Sequence, residues 1–169
     1  MAEKTLAVLR VKQLYIADPI TSSAGVKSAK WTKLPCTLRD DEMPLKSEDP
    51  EEQEIFCNES DIPVYTESTG KPYTLSGAFV DISESDMVSI LGFEKTSIGL
   101  EFSGDLHRFE KAIKIETYPG KTYLLPRVDG QVRPEFNFGT GKVSKAPFKF
   151  ILKKASDEWK KAFVQLLSV

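Results

Sequence analysis

Apolar and β-branched residues alternate with polar ones over most of the chain, and the alternation predicts strands. Thr5 to Ile16 sets Leu9, Val11 and Tyr15 on one parity and Leu6, Val8, Leu14 and Ile16 on the other, a long strand apolar on both sides for part of its length. Asp18 to Ser28 is small and polar and reads as a loop. Trp31 to Leu38 is a second strand, in which Pro35 marks an edge or a bulge. Ile62 to Thr66 and Lys71 to Asp81 read as two strands joined by a hairpin turn at Glu67-Ser68-Thr69-Gly70.

The period then changes. Ser83 stands where a helix N-cap would stand, with Asp86 three positions later in box-like spacing, and Met87, Val88, Ile90 and Leu91 form an apolar stripe that Gly92 ends. Beyond Phe93 alternation returns. Ser97 to Ser103, Phe109 to Thr117, Thr122 to Val128, Arg133 to Phe138 and Phe148 to Leu152 read as strands. Tyr118-Pro119-Gly120, Asp129-Gly130 and Gly139-Thr140-Gly141 supply turn chemistry between them. The tail fits two patterns: a helix opened by Ser156 with Trp159, Phe163 and Leu167 on one face, or a strand from Phe163 to Val169. The expected fold is mainly β, an antiparallel sandwich or barrel with one short helix packed on it, as a single domain over residues 1–169.

Charge adds what periodicity does not show. The net charge of the 169 residues is only -2, but residues 1–39 carry +5, residues 40–94 carry -13 and residues 95–169 carry +6. Asp40 to Glu54 contributes eight acids, one lysine and two prolines. Such a stretch buries little, so residues 40–60 are expected to form a long mobile loop. Leu6 to Leu9 is too short for the apolar core of a signal peptide, and no apolar run approaches a membrane span; export by the general pathway and membrane insertion are not expected.

Candidate chemistry is sparse. One histidine, His107, excludes multi-histidine metal sites, and no nucleophile or carboxylate pair stands near it in a recognisable arrangement. It reads as an exposed, structurally tolerant residue. Cys36 and Cys57 lie 21 positions apart, form no metal or redox motif, and read as half-buried thiols. Asp81-Ile82-Ser83-Glu84-Ser85 matches the DxSxS start of a metal-dependent adhesion site, whose oxygens suit Mg²⁺, but that fold needs repeated strand-helix units; capping by Ser83 and Asp86 is the simpler reading. Gly139-Thr140-Gly141-Lys142 lacks the first glycine and the hydroxyl residue of a phosphate loop, and is a turn. No enzyme, cofactor or metal is expected from these residues.

The central segment carries a resemblance. Lys71-Pro72-Tyr73-Thr74-Leu75-Ser76-Gly77-Ala78-Phe79-Val80-Asp81 leads into Ser85-Asp86-Met87-Val88-Ser89-Ile90-Leu91-Gly92, and this is similar to the strand, acidic turn and helix-leucine-glycine unit of tailed-phage tail tube (major tail) proteins. Phe109 to Thr117, Pro119-Gly120, Leu124 to Val128, Phe136-Asn137-Phe138 and Pro147 to Leu152 continue the order of that family's strands. The likeness covers residues 62–155, and the first strand and the acidic segment more loosely.

The resemblance implies a tube-type sandwich or barrel, self-assembly into hexameric rings, and stacking of rings into a conduit through which DNA passes without specific binding. It implies partners of the tape-measure, terminator and baseplate kinds, assembly in the bacterial host cytoplasm, and a final place in the virion tail. In that family the loop between the second and third strands reaches the adjacent ring, the place that the acidic segment holds here. Asp40, Asp41, Glu42, Glu48, Asp49, Glu51, Glu52 and Glu54 are therefore the candidate inter-ring residues. Lys142, Lys145, Lys149, Lys153 and Lys154 are the candidate complementary face, because a head-to-tail contact needs unlike ends. Two alternatives stand beside this one: the tube of a contractile injection or type VI-like secretion system, and a monomeric β-sandwich that binds a ligand.

Overall fold

The computed structural model describes residues 9–39, 42–118 and 120–167. The chain is mainly β. Its central strands are β1 (Val11–Ala17), β7 (Tyr73–Val80), β10 (His107–Thr117), β11 (Thr122–Val132) and β12 (Ala146–Leu152), and the shorter β2 (Thr32–Lys33), β3 (Cys36–Thr37), β4 (Leu45–Ser47) and β13 (Val164–Leu166) complete the same sheet. All pairings in it are antiparallel, in the order β2-β1-β10-β11-β12-β7-β3, with β13 on β11 and β4 on β7.

The two ends of that order are one piece of chain. β2 and β3 are separated only by Leu34 and Pro35, so a kinked segment starts against β1 and finishes against β7, closing the sheet on itself. Gln13 secures the kink by donating from Nε2 to the carbonyl of Leu34 at 2.8 Å, and the Leu34 and Leu38 amides donate to Leu14 and Ala78. Pro35 occurs where the strand breaks, a position that needs no ladder donor.

Inside the closed sheet lie Leu14, Leu34, Leu75, Phe79, Ile113, Ile115, Leu125, Val128, Val132, Phe148 and Phe150. Phe79, Phe148 and Phe150 stack in series, with centroids 4.4 and 4.8 Å apart. Two glycines make room for these rings: a Cβ at Gly77 would lie 2.7 Å from Phe148 Cζ, and one at Gly130 would lie 2.7 Å from Phe109 Cζ. A smaller cluster of Ile20, Ala112 and Leu124, flanked by Trp31 and Trp159, covers the outside of the sheet.

Strand register gives the barrel two ends. Val132 lies opposite both His107 and Phe148, and Ala146 opposite Phe79. The helix α2 (Glu84–Ser89) sits at this end, with Ile90 and Leu91 inserted into the core. Its N-terminus is the expected capping box: Ser83 Oγ accepts from the Asp86 amide and the Asp86 carboxylate accepts from the Ser83 amide. Gly92, at φ +76°, ends the helix and lies against the His107 ring. The opposite end carries Tyr73, Thr122 and Ser47.

Several expectations are corrected. Residues 40–60 are not a mobile loop throughout: β4 joins the barrel, and β5 (Glu51–Ile55) pairs with β6 (Tyr65–Thr69) as a separate two-stranded sheet. Glutamates opposite Ser and Thr keep their charges in water while the backbone pairs, so burial is not needed. Asp40 and Asp41, and the Thr5–Val8 part of the first strand, lie outside the described residues. Glu67 to Thr69 belong to β6, which turns away from β7, so the hairpin turn expected there does not form. Gly25–Ser28 is a one-turn helix, α1, inside the segment read as a loop. Ser97 to Ser103 is not one strand but part of a hairpin of β8 (Glu94–Thr96) and β9 (Gly99–Glu101), with Ile98 at its turn. Asp129-Gly130 is inside β11, and Arg133 to Phe138 is a loop holding the single bridge Glu135–Lys145. At the tail the strand prevails: β13 pairs Val164 with Leu124 and Leu166 with Thr122.

Candidate assembly surfaces

The β5–β6 hairpin leaves the barrel where Ser47 lies opposite Tyr73, at the end away from the helix. Between residues 48 and 70 it carries eight acids and no Lys or Arg. Glu48, Asp49, Glu51, Glu52 and Glu54 are all exposed, as is Glu42 before β4. Lys71 at the base pairs with Glu51, and that ion pair holds the Glu51 carboxyl below the usual carboxylate range. Six of the eight candidate acids are thus placed, five of them on this arm.

Apolar side chains cluster near the tip of the arm, on both sides of the polar residues Asn58 to Asp61. Ile55, Phe56, Ile62, Val64 and Tyr65 are each about half or more exposed, Ile62 at 74%. Periodicity predicts a strand over Ile62 to Thr66 paired with Lys71 to Asp81; the observed strand is Tyr65–Thr69 and its partner is β5. The signal was the cluster of aliphatic and aromatic residues inside an acidic run that no core could reach.

The five candidate lysines do not form one face. Lys142 and Lys145 lie on the loop of residues 133–145, at the helix end. Lys149 projects from β12 beside Gln131 and Ser76, on the outer wall near that end. Lys153 and Lys154 are further along the wall. Lys153 Nζ is 3.6 Å from Glu110, which also accepts from Arg127 Nε at 2.7 Å. Lys154 borders a shallow hollow with Arg127, Ser156 and Lys160.

A second apolar surface, absent from the pattern reading, occupies the helix end. Phe93 stacks on Phe102 at 4.9 Å and meets Phe136 edge-on at 6.4 Å, and Phe136 stacks on Phe138 at 6.1 Å. The ladder runs outward, from half-buried Phe93 to Phe138, which is 95% exposed. Residues 136 and 138 alternate as strand positions would, but they lie in a loop shaped by Ser144, which accepts from the Asn137 amide at 2.9 Å.

At the other end, a cleft of about 670 Å³ opens among β1, β4, β7, β10, β11 and β13. Leu9, Val11, Leu38, Leu45, Ile115 and Phe163 line it, and Arg10 and Arg39 are its charged residues. Tyr123 also lines it and is 94% buried (6% exposed), with no partner for its hydroxyl among the described residues.

The remaining motifs resolve structurally. Ser83 Oγ is 2.7 Å from the Asp86 carboxylate and 3.1 Å from Ser85 Oγ, so the capping hydrogen bonds use the same hydroxyl that the DxSxS reading needed. Among the described residues no three His, Cys, Asp or Glu side chains gather as a metal site. His107 is half-buried on Gly92 rather than exposed, with its ring 5.9 Å from Phe109. Cys36 and Cys57 are exposed free thiols, not half-buried ones: Cys36 is in β3, and Cys57 is on the arm. No helix among the described residues is long and apolar enough to cross a membrane. Family models and curated proteins were both compared with the chain, and neither comparison gave a match.

Proposed function

We propose that the chain is a structural subunit of a tailed-phage tail tube, one that assembles into hexameric rings and stacks them into a conduit for DNA. The observation that carries this reading is the unlike character of the two barrel ends. One end projects an arm with eight acids and no base between residues 48 and 70, and the other has no such arm and carries the helix α2 and the stacked rings of Phe93, Phe102, Phe136 and Phe138. Unlike ends favour head-to-tail contact and penalise head-to-head contact, the requirement of an open, directional stack. The tape-measure, terminator and baseplate proteins of a tail are then its partners, and the virion its destination. The tube of a contractile injection or type VI-like system fits the same geometry.

Negative-stain microscopy of concentrated protein tests the reading, with rings or tubes about 80–100 Å wide expected for subunits of this size. A chain that stays monomeric at every concentration and salt level refutes it.

The cleft beside Tyr123 favours a second reading, a ligand-binding β module. Its apolar walls and two arginines suit an apolar molecule with an anionic end. Saturable binding of a fatty-acid carboxylate by a strictly monomeric chain would select that reading over the tube.

A further inference from the structure

We infer that the cleft at the arm end takes an extended amphiphile with a carboxylate at one end and a neutral hydroxyl at the other, and that Tyr123 selects the hydroxyl. The inference rests on the ligand-binding reading of that cleft and adds the group that the ligand carries inside. Burial gives the cleft a direction. Leu75, Ile115 and Tyr123 are 2%, 8% and 6% exposed and form its floor, whereas Leu9 and Phe163, at 45% and 43%, stand at its mouth. Its volume of about 670 Å³ is within the range of small-molecule sites, roughly 300–1,000 Å³.

Mouth and floor differ in chemistry. Arg10 and Arg39 are exposed, and no Asp or Glu is among the described residues that line the cleft. A carboxylate therefore docks at the mouth, where it stays partly hydrated and the guanidinium groups offer paired donors. Val11, Leu38 and Leu45 give the chain an apolar path inward. Two polar side chains are buried beside that path. Thr117 donates from Oγ1 to the Lys121 carbonyl at 2.7 Å and is satisfied. Tyr123 has no partner for its hydroxyl among the described residues. A carboxylate at that depth loses its water without gaining an arginine, whereas a neutral hydroxyl gives and accepts a hydrogen bond and completes the phenol. The phenol oxygen is shielded, so the ligand reaches it by displacing Phe163, whose ring stacks on that of Tyr123 at 5.5 Å and is already in contact with solvent.

The test is titration calorimetry of the full-length parent with dodecanoate and with ω-hydroxydodecanoate, both below their micelle-forming concentrations. It is repeated on Tyr123→Phe and on the pair Arg10→Gln with Arg39→Gln, each checked first for a parent-like Tm. The parent is expected to bind the hydroxy acid at least as tightly as the plain acid, although the hydroxyl is the costlier group to bury. The ratio of the two affinities is the main readout, because it cancels what a substitution does to the cleft as a whole. Tyr123→Phe is expected to lower the preference for the hydroxy acid about 3- to 10-fold, the worth of one neutral hydrogen bond. The arginine pair is expected to weaken both acids alike. A parent that prefers the plain acid, or a ratio that Tyr123→Phe leaves unchanged, overturns the inference and leaves the cleft a ligand site. An arginine variant that binds both acids as the parent does overturns it too, by placing the carboxylate elsewhere. Binding that proceeds only as copies come apart in sedimentation velocity makes a neighbour's chain the occupant and overturns it as well. A parent that binds neither acid saturably removes the ligand-binding reading along with the inference.

Discussion

Arg127 Nε donates to Glu110 Oε1 at 2.7 Å across the β10–β11 pair, and Lys153 approaches the second oxygen of the same carboxylate. The hydrogen bond from Arg127 is the main reason that the Glu110 carboxyl is held below the usual glutamate range; burial opposes it, and the positive charges of Arg127 and Lys153 add to it. A carboxyl whose value is lower in the folded chain than in the unfolded one stabilises the fold above the unfolded value. That contribution disappears as pH falls through the folded value. Glu110→Gln should therefore lower Tm at neutral pH and converge with the parent in acid. Both side chains of the pair are more than a third exposed, so screening limits the difference to within about 1 kcal/mol. A gap between the two melting curves that persists below the carboxylate range would show that the pair is not its source.

Gly130→Ala pushes a methyl group into the Phe109 ring, inside a strand whose neighbours on both sides are paired. Crowding of this kind costs about 1–3 kcal/mol. Urea denaturation should show a lower midpoint with an unchanged slope. A midpoint equal to the parent's would mean that Phe109 moves aside freely and that the glycine has another reason.

Ser83→Ala removes the acceptor for the Asp86 amide and should cost about 1 kcal/mol. Ser85→Ala, one hydroxyl away, leaves that bond in place and should be close to neutral. Titration calorimetry with Mg²⁺ separates capping from metal binding. Heat that both substitutions abolish would restore the DxSxS reading of Asp81, Ser83 and Ser85.

Tyr123→Phe deletes a buried hydroxyl that has no partner among the described residues and keeps the ring stacked on Phe163 at 5.5 Å. The variant should be as stable as the parent or up to about 1–2 kcal/mol more stable, because an unpaired buried hydroxyl costs about that much. A loss of stability on thermal melting would show that a water or a bound group pairs with the hydroxyl in solution.

Replacing residues 49–70 with a short Gly-Ser linker should leave Tm within a few degrees of the parent, because β5 and β6 pair with each other and not with the barrel. On the tube reading the same deletion should abolish stacking of rings in negative-stain images. A truncated chain that fails to fold would show that the arm helps hold β4 against β7.

Periodicity alone reaches much of this barrel. The large buried side chains of β7, β10 and β12 keep to one parity in each strand, which is why Leu75 and Phe79, Ile113 and Ile115, and Phe148 and Phe150 mark their strands, while the small Ala78 and Ala112 are buried on the other parity. The capping box of α2 is equally local, set by four consecutive residues. The misreadings come from residues whose role is settled at a distance. Gly130 looks like a turn glycine beside Asp129, but it is there for the ring of Phe109 on the next strand. Glu51 to Glu54 look unable to order because they bury nothing, but a hairpin orders through its backbone. Phe136 and Phe138 alternate like strand residues, and neither is held in a strand. The acidic character of the arm was legible in the charge run. The exposure of Ile62, Val64 and Phe138 was not, because exposure is a property of the folded surface and composition does not record it.

The kink at Leu34 and Pro35 bears on how copies can add to one another. Because it joins the two sheet ends, β7, β11 and β12 are paired on both sides over most of their length, and at the helix end the free backbone of the long strands is residues 107–111 of β10, beyond the pair of Ala17 with Ala112. Growth by backbone zippering, the route to disordered fibres, is then confined to short stretches such as the three-residue β4 and β13 and the strands of the two hairpins. Accretion must proceed through side chains instead. Side-chain contacts are selective where backbone rims are not, so a polymer of this chain would inherit its order from the way the barrel is shut.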